Sequence, residues 1–438
     1  MIKNKTMDKL VSLCKRRGFI FPSSDIYGGL EATNDYGPLG IELKNNIKSL
    51  WWRDMVTSRK DIVGMDASIF MNSKVWEASG HVNEFHDPLV DCKNCKSRFR
   101  EDHIDLNKNC PDCGIRDWTN PKQFNLMLKT QYGPSEESSS TIYLRPETAQ
   151  GIFVNFLNVI NSSRMKPPFG IAQIGKAFRN EITTGNFLFR SREFEQMEME
   201  FFVKPDETSE WLEYWKNFRF DWYKTLGIDG KKLRLRSHKN NELAHYAAAC
   251  YDVEYEFPFG WSELEGIADR GVYDLKQHSQ HSGKKLTWFD SITNKHIMPA
   301  VVESSAGVDR TVLTVLSDAY HEEKVNGEER ILLKLHPRIA PIKVAIFPLI
   351  NKNELPEIAD NIIKELTKNF STFYDSTGSI GKRYRRQDEA GTPYGITVDH
   401  DTLNDSSITI RHRDNMNQER VSIDSISKYL ADHINKVE

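Results

Sequence analysis

The chain has 438 residues, more than one ordinary domain holds and enough for two or three. Apolar residues make up 39% and charged residues 28%, and 59 Lys+Arg stand against 62 Asp+Glu for a formal charge of −3. That balance argues against a generally basic nucleic-acid coat and against an acidic disordered tail, while leaving room for a local basic patch. No run approaches the ~18 apolar residues of a membrane helix. The start, Met1 to Asp8, has no hydrophobic segment of a secretory signal, so a cytoplasmic protein with no membrane partner is expected.

In chain order, Tyr36-Gly37-Pro38-Leu39-Gly40 predicts a turn, and Ile41 to Val56 predicts an amphipathic helix with Leu43, Ile47, Leu50, Trp51 and Met55 on one side. Its apolar stripe suits either the protein's own core or a dimer interface. Cys92-x-x-Cys95 and Cys110-x-x-Cys113 follow, fourteen residues apart, a spacing that places four thiolates around structural zinc. Disulfides are the weaker reading for a cytoplasmic chain. Cys14 and Cys250 are isolated and read as buried free thiols. Ser135 to Ser140 predicts a surface loop.

From Phe169 to Lys204 the pattern has period two and predicts an antiparallel hairpin, connected through Thr183 to Phe187. Met197, Met199 and Phe201 fall on one face of the second strand, and Gln196, Glu198 and Glu200 on the other. Gly170 to Lys176 comes close to a phosphate loop, but Ala177 stands where a Ser or Thr is needed and the stretch reads as strand. Met298 to Arg310 predicts a strand ending in the small residues Ser304 to Gly307, then a helix with Val308, Val312, Val315, Leu316 and Ala319 buried. Two prolines near Leu335 to Pro341 mark a domain boundary. Beyond it lie predicted strands at 343–348, 372–375, 394–398 and 407–411, with helices at 357–369, 379–389 and 423–436.

Two segments could carry chemistry. Arg179 and Glu181 share a predicted strand face, with Arg190 and Arg192 where the chain returns, a set that could grip phosphates or simply be solvated charges. Arg310 in the first turn of a helix behind small residues could meet an anion, or pack its stem on the helix start.

Together, Tyr36 to Gly40 with its helix, Phe178-Arg-Asn-Glu181 running on to Phe189-Arg-Ser-Arg-Glu-Phe194, and Gly307-Val-Asp-Arg310 resemble the three signature motifs of class II aminoacyl-tRNA synthetases. Further segments resemble the homodimeric type of glycyl-tRNA synthetase. These are Gly18 to Pro22, Asp25 to Gly29, Val75 to His81, Leu144 to Gly151, Phe194 to Glu198 and Gly378 to Glu389. The likeness runs from about Leu13 to the C-terminus.

That resemblance implies an α+β fold: an antiparallel sheet flanked by helices over 1–338, with a four-cysteine, zinc-type insertion at about 88–140, then a mixed α/β anticodon-binding domain over 339–438. It implies a homodimer that joins glycine to ATP, releasing pyrophosphate, and passes the glycyl group to glycine tRNA. ATP contacts are implied at Arg179, Asn180, Glu181, Phe189, Arg190, Ser191, Arg192, Glu193, Phe194, Glu263, Leu264, Gly307, Val308, Asp309 and Arg310, with Mg2+ near Glu263. Arg179, Glu181 and Arg310 are the implied catalytic residues. Glycine contacts are implied at Arg100, Glu147, Phe194, Glu195, Gln196, Met197, Glu198, Glu303, Ser304, Ser305, Ala306 and Gly307.

For tRNA, the basic run Lys382, Arg383, Arg385 and Arg386 is the expected contact, against the alternative of a solvated helix face. The family usually has proline at the positions of Ser304 and Thr184, departures that remove no charged ligand. The Cys quartet is present in some relatives and absent from others, so its zinc is expected to be structural. A class II ligase for another small amino acid and a non-catalytic tRNA-binding descendant are the alternative functions.

Overall fold

The computed structural model describes residues 2–101, 104–133, 140–182, 185–239, 243 and 247–435. Ser135 to Ser139 of the expected surface loop, Thr183 and Thr184 of the hairpin connection, and the last residue of the expected closing helix lie outside them.

Seven strands form the main sheet among these residues: β1 (Ile62–Gly64), β2 (Phe169–Phe178), β3 (Glu193–Val203), β4 (Leu233–Ser237), β5 (Ala249–Phe257), β6 (Gly260–Gly271) and β7 (Ala300–Gly307). Their spatial order is β4-β5-β6-β7-β3-β2-β1, antiparallel throughout except for β1 against β2. The near phosphate loop at Gly170 to Lys176 is therefore strand, paired with β3 along its length.

Alternation along β3 divides the sheet's two faces. Met197, Met199, Phe201 and Val203 enter the main core, which is covered by the Pro38–Trp52, Thr208–Lys224 and Val308–Ala319 helices. On the other face Phe202 closes a smaller core with Phe153, Phe156 and Phe169, while the even positions before it are polar. Those polar positions are too many and too buried for a surface face, and they open the site described below.

The first expected helix begins earlier than its apolar stripe suggests, at Pro38, whose missing N–H costs nothing in a first turn. Backbone approach is the reason for the glycines around it. A side-chain carbon on Gly40 would lie 1.8 Å from the Phe19 carbonyl oxygen, and one on Gly37 2.4 Å from that of Gly18. The helix passes into a π-turn, Arg53–Thr57, so the expected end at Val56 falls inside a different geometry.

Beyond Pro341, β8 (Val344–Pro348), β9 (Thr372–Tyr374), β10 (Tyr394–Val398), β11 (Ser407–His412) and β12 (Gln418–Ser422) build a second sheet in the order β9-β8-β10-β11-β12. Its core, from Val344 to Ile434, is separate from the main one, which still contains Ile339 and Ala340. The sequence pattern missed β12 because an edge strand of Gln-Glu-Arg-Val-Ser, mostly exposed, shows no apolar alternation.

The seam between the two bodies is ionic and closed to water. Arg330, on the Glu328–Leu333 strand, donates from Nε to Asp388 Oδ2 at 2.9 Å, and Arg411 donates to the same carboxylate at 2.9 and 3.2 Å. Arg330 and Asp388 are 1% exposed. Arg17 pairs with the adjoining Glu389 at 2.6 Å. Removing one partner of such a buried set strands the others. Asp388→Asn is expected to lower the unfolding free energy by about 3 kcal/mol in urea titration, and a loss below about 1 kcal/mol would contradict the rivet.

Candidate active site

The polar face of β3 floors a cavity of about 290 Å3. Strand alternation decides which expected residues reach it. From β3 these are Phe194, Gln196 and Glu198, and from β7 Glu303, Ser305 and Gly307. Met197 and Ala306 turn into the main core, as does Val308 from the helix after β7.

Glu263 reaches the wall through a β-bulge. The register of β5 against β6 shifts between Val253 and Glu254, so an extra β6 residue reverses the alternation and both Glu263 and Leu264 line the cavity.

The stretch after β2 leaves the sheet, so Arg179 and Glu181 sit on a loop rather than on a shared strand face. The loop is zipped at its base by Arg179 N donating to Arg192 O at 2.9 Å. Arg179 Nε donates to the Pro146 carbonyl at 3.0 Å, and its guanidinium lies 5.3 Å from the Phe194 ring centre. Leu188, Phe189, Arg190 and Ser191 also line the cavity, with Arg190 Nε 3.9 Å from the Glu181 carboxylate. Arg310 stacks on Phe189 at 4.5 Å and pairs with Glu263 at 3.2 Å. That guanidinium holds the Glu263 carboxyl below its usual range.

Other expected contacts are spent elsewhere. Asn180 N donates to Leu126 O, Arg192 donates to the carbonyls of Glu181 and Glu31, and Glu193 pairs outward with Lys176. Arg100 pairs with Asp87 at 3.0 Å and does not line the cavity. Glu195 and Asp309 form a knot at the floor, where Asp309 also lines the cavity and Glu195 does not. Lys44 pairs with Glu195 at 3.0 Å and Asp309 at 3.2 Å, Tyr36 Oη donates to Asp309, and Glu195 N donates to Asp309 at 2.8 Å. Burial would lower the Lys44 amine, but the two carboxylates outweigh it and raise it. Three segments far apart in sequence are thereby tied at one point.

Ser304 faces away from the cavity, and its hydroxyl donates at 2.5 Å to Glu265, which is held by Arg219 at 2.7 Å and Tyr223 at 2.8 Å. A proline could not make that bond, so the departure at this position carries a buried polar partner with it.

Behind the cavity wall, acids gather around one base. Arg270, missed in the sequence, is 1% exposed, pairs with Asp274 at 2.8 Å, contacts Glu303, and lies 3.9 Å from Glu147. Gln150 bridges Glu147 and Asp274 at 3.0 and 2.9 Å. Glu198 accepts from Thr148 N at 3.0 Å and from the Thr148 hydroxyl. Burial opposes ionisation of Glu147, but His81 and then Arg270 outweigh it and hold that carboxyl low. Burial raises Glu198, with the Glu147 charge adding to it. Burial lifts Glu303 to about 7 against the pull of Arg270.

His238, Cys250 and Asp252 also line the wall and were missed there. Cys250 is only partly buried, contrary to expectation, and burial with neighbouring acids pushes its thiol up to about 12. Nothing in a lone Arg-Gly-Val-Tyr-Asp or Ser-His string distinguishes these residues from a surface pair, because it is the sheet that brings them inward.

The four Cys sulfurs of the 92–113 segment lie within 4.8 Å of one another, with Cys92 to Cys113 at 3.6 Å and Cys95 to Cys110 at 3.7 Å. Tetrahedral zinc with bonds of about 2.3 Å separates its sulfurs by about 3.8 Å, so the donor set fits that ion. Hydrogen bonds from Ser97 bring Cys95 down to about 6, toward the thiolate a metal needs, while burial holds Cys110 up at about 11.

An antiparallel sheet carrying an arginine cluster and an acid cluster in one cavity, followed by a separate α/β domain, defines a class II tRNA synthetase. Residues 130–320 match the family described as the tRNA synthetase class II core domain (G, H, P, S and T), and residues 343–433 match the anticodon binding domain. A glycine–tRNA ligase of Borreliella afzelii is 56% identical over 433 residues, covering 98% of this chain and 97% of the relative. Those of Caldanaerobacter subterraneus and Clostridium acetobutylicum are 53% and 54% identical, covering 98% and 99% of this chain and 98% and 100% of the relatives. The chain belongs to the glycine–tRNA ligase family.

The raised Glu303 carboxyl sets a pH test. A carboxyl lifted to about 7 in the fold favours folding while protonated, and that contribution is lost as pH rises from its ordinary value through 7. Glu303→Gln is therefore expected to gain stability relative to the wild type between pH 5 and 8 in urea unfolding, on the order of a pK unit or more of free energy. An unchanged difference would contradict the assignment.

Proposed function

We propose that the chain joins glycine to ATP, forming glycyl-adenylate and pyrophosphate, and then transfers the glycyl group to the 3′ end of glycine tRNA. The observation that carries this reading is the charge imbalance of the acid cluster. Glu147, Asp274 and Glu303 gather on the one guanidinium of Arg270, His81 stands 3.4 Å from Glu147, and Glu198 adds a further acid to the wall, so that a primary ammonium supplies positive charge where acids are in excess. The arginines elsewhere in the cavity suit phosphates.

In this reading Arg179, with Phe194 behind it, neutralises charge developing at the α-phosphorus, and Glu181 keeps Arg190 aimed inward. Phe194 offers its other face to adenine, and Arg310 meets the terminal phosphate. The glycine carboxylate is itself the nucleophile, so positioning and charge neutralisation supply the catalysis. Glu263 offers a carboxylate that would hold Mg2+, and the ion would supply positive charge against the phosphates. Glu198, Glu303 and Ser305 hold the amino group, with Gln196 linking Glu198 to Ser305 by bonds of 3.5 and 3.2 Å.

Every competing amino acid is larger than glycine, so a filled pocket excludes rivals by bulk without an editing step. We further infer a homodimer, a cytoplasmic location, and a catalytic domain over 1–338 with an anticodon-binding domain over 339–438. Among the described residues no helix is long and apolar enough to cross a membrane. Cys92, Cys95, Cys110 and Cys113 would hold zinc as a structural tie for a polar segment with little core of its own.

The basic run needs revision within this reading. Arg383 is 2% exposed and spends its guanidinium on the carbonyls of Pro348, Asp375 and Leu349, and Arg386 pairs with Asp375 at 2.5 Å. Lys382 is exposed and Arg385 partly so, and these two remain as the tRNA contacts.

Glycine, alanine and serine should be compared in amino-acid-dependent exchange of pyrophosphate into ATP. Exchange with glycine alone is expected, and Arg179→Ala should reduce it by about 10²–10³ with the fold intact. Absence of glycine-dependent exchange in the wild type would overturn the proposal. Purified protein should also carry one zinc per chain by elemental analysis, lost in Cys92→Ser, and a zinc-free native protein would contradict the tie.

A further inference from the structure

Glu200 lies on β3 with no exposed surface, and neither of its carboxylate oxygens has a hydrogen-bond partner among the described residues. Its neighbours in the same wall are paired: Glu198 by Thr148 and Glu303 by Arg270. Register places Glu200 opposite Glu303 on β7 and the apolar Ile171 on β2. Carboxylate oxygens of Glu198, Glu200 and Glu303 all fall within 4.8 Å of one another.

The charged groups facing Glu200 are Glu303 from β7, Arg270 from β6, Glu198 from its own strand and Asp274 from the Tyr273–Ser282 helix. Arg270, the cation among them, already serves Asp274 and Glu303. An ionised carboxylate left without donors in a dry wall costs several kcal/mol. Acids this close share a proton rather than all ionise.

We propose that Glu200 is a neutral carboxylic acid whose proton is offered to Glu303, making it a positioning residue that aims the Glu303 carboxylate at the substrate ammonium. The inference rests on the glycine-activating reading of this cavity. Burial, and then the charge of Glu303, drives the Glu200 carboxyl well above the usual range, in agreement. The neutral acid also removes one negative charge from a wall that must match a single ammonium.

Two substitutions separate the roles. Glu200→Gln keeps a neutral donor of the same shape, and Glu200→Met keeps the bulk without a donor. In glycine-dependent pyrophosphate exchange, the Gln variant should hold the KM for glycine within about fivefold of wild type, and the Met variant should raise it by about tenfold or more. A rise beyond about fivefold in Gln would mean an ionised ligand at this position and overturn the proposal. A Met variant as good as Gln would remove the positioning role.

The wild-type minus Gln infrared difference spectrum at neutral pH should show the carbonyl band of a protonated acid. Carboxylate bands alone would also overturn the proposal. Should the wild type show no glycine-dependent exchange, the functional reading fails, while the infrared band still decides whether Glu200 is neutral.

Discussion

Arg270 is a single guanidinium closed off from water, with Asp274, Glu303 and Glu147 arranged around it. A buried charge is tolerated only when paired, and here the pairing is lopsided toward acid. That imbalance sets the chemistry of the cavity. His81 and then Arg270 hold the Glu147 carboxyl low, burial lifts Glu303 to about 7, and the excess of acid favours a further cation in the cavity. The fold's task is to hold β6, β7, the Tyr273–Ser282 helix and the turn that carries Glu147 so that these side chains cannot escape one another.

The knot of Lys44, Glu195, Asp309 and Tyr36 performs that task from below. It joins the helix that starts at Pro38, the floor strand β3 and the helix after β7, so the arginine-lined and acid-lined parts of the cavity share one anchor. Ion pairs on the outside, such as Lys9 with Glu322, contribute far less because water screens both partners. The Arg330–Asp388–Arg411 rivet plays the corresponding part between the two bodies, where a closed ionic seam fixes orientation as well as adhesion.

Much of this was legible in the sequence where local pattern and function coincide. Period-two alternation in Phe194 to Phe201 separated Met197, Met199 and Phe201 from Gln196, Glu198 and Glu200; the first set packs in the main core, including Met197 that the resemblance offered as a glycine contact, and Gln196 and Glu198 line the cavity. The Cys spacing likewise gave a compact sulfur quartet. Pattern failed where tertiary structure alone assigns the role. Arg270 and Asp252 look like surface charges until the sheet folds them inward. Glu263 depends on a bulge that no alternation rule reveals. The Lys382 to Arg386 run looked like one basic face, yet a helix shows different residues to different neighbours, and Arg383 is turned into its own domain. Matching a motif position by position also did not show that Glu195 and Asp309 are tied together through Lys44, with Asp309 lining the cavity and Glu195 behind it.

The central claim is that segregated charge orients the two halves of one intermediate: ammonium among the acids, phosphate among the arginines. A crystal structure with a non-hydrolysable glycyl-adenylate analogue tests it most directly. The account predicts the amino group within hydrogen-bond reach of Glu198 and Glu303, and the phosphate mimic against Arg179. An amino group found away from both carboxylates, or a phosphate mimic that leaves Arg179 uncontacted, would contradict it.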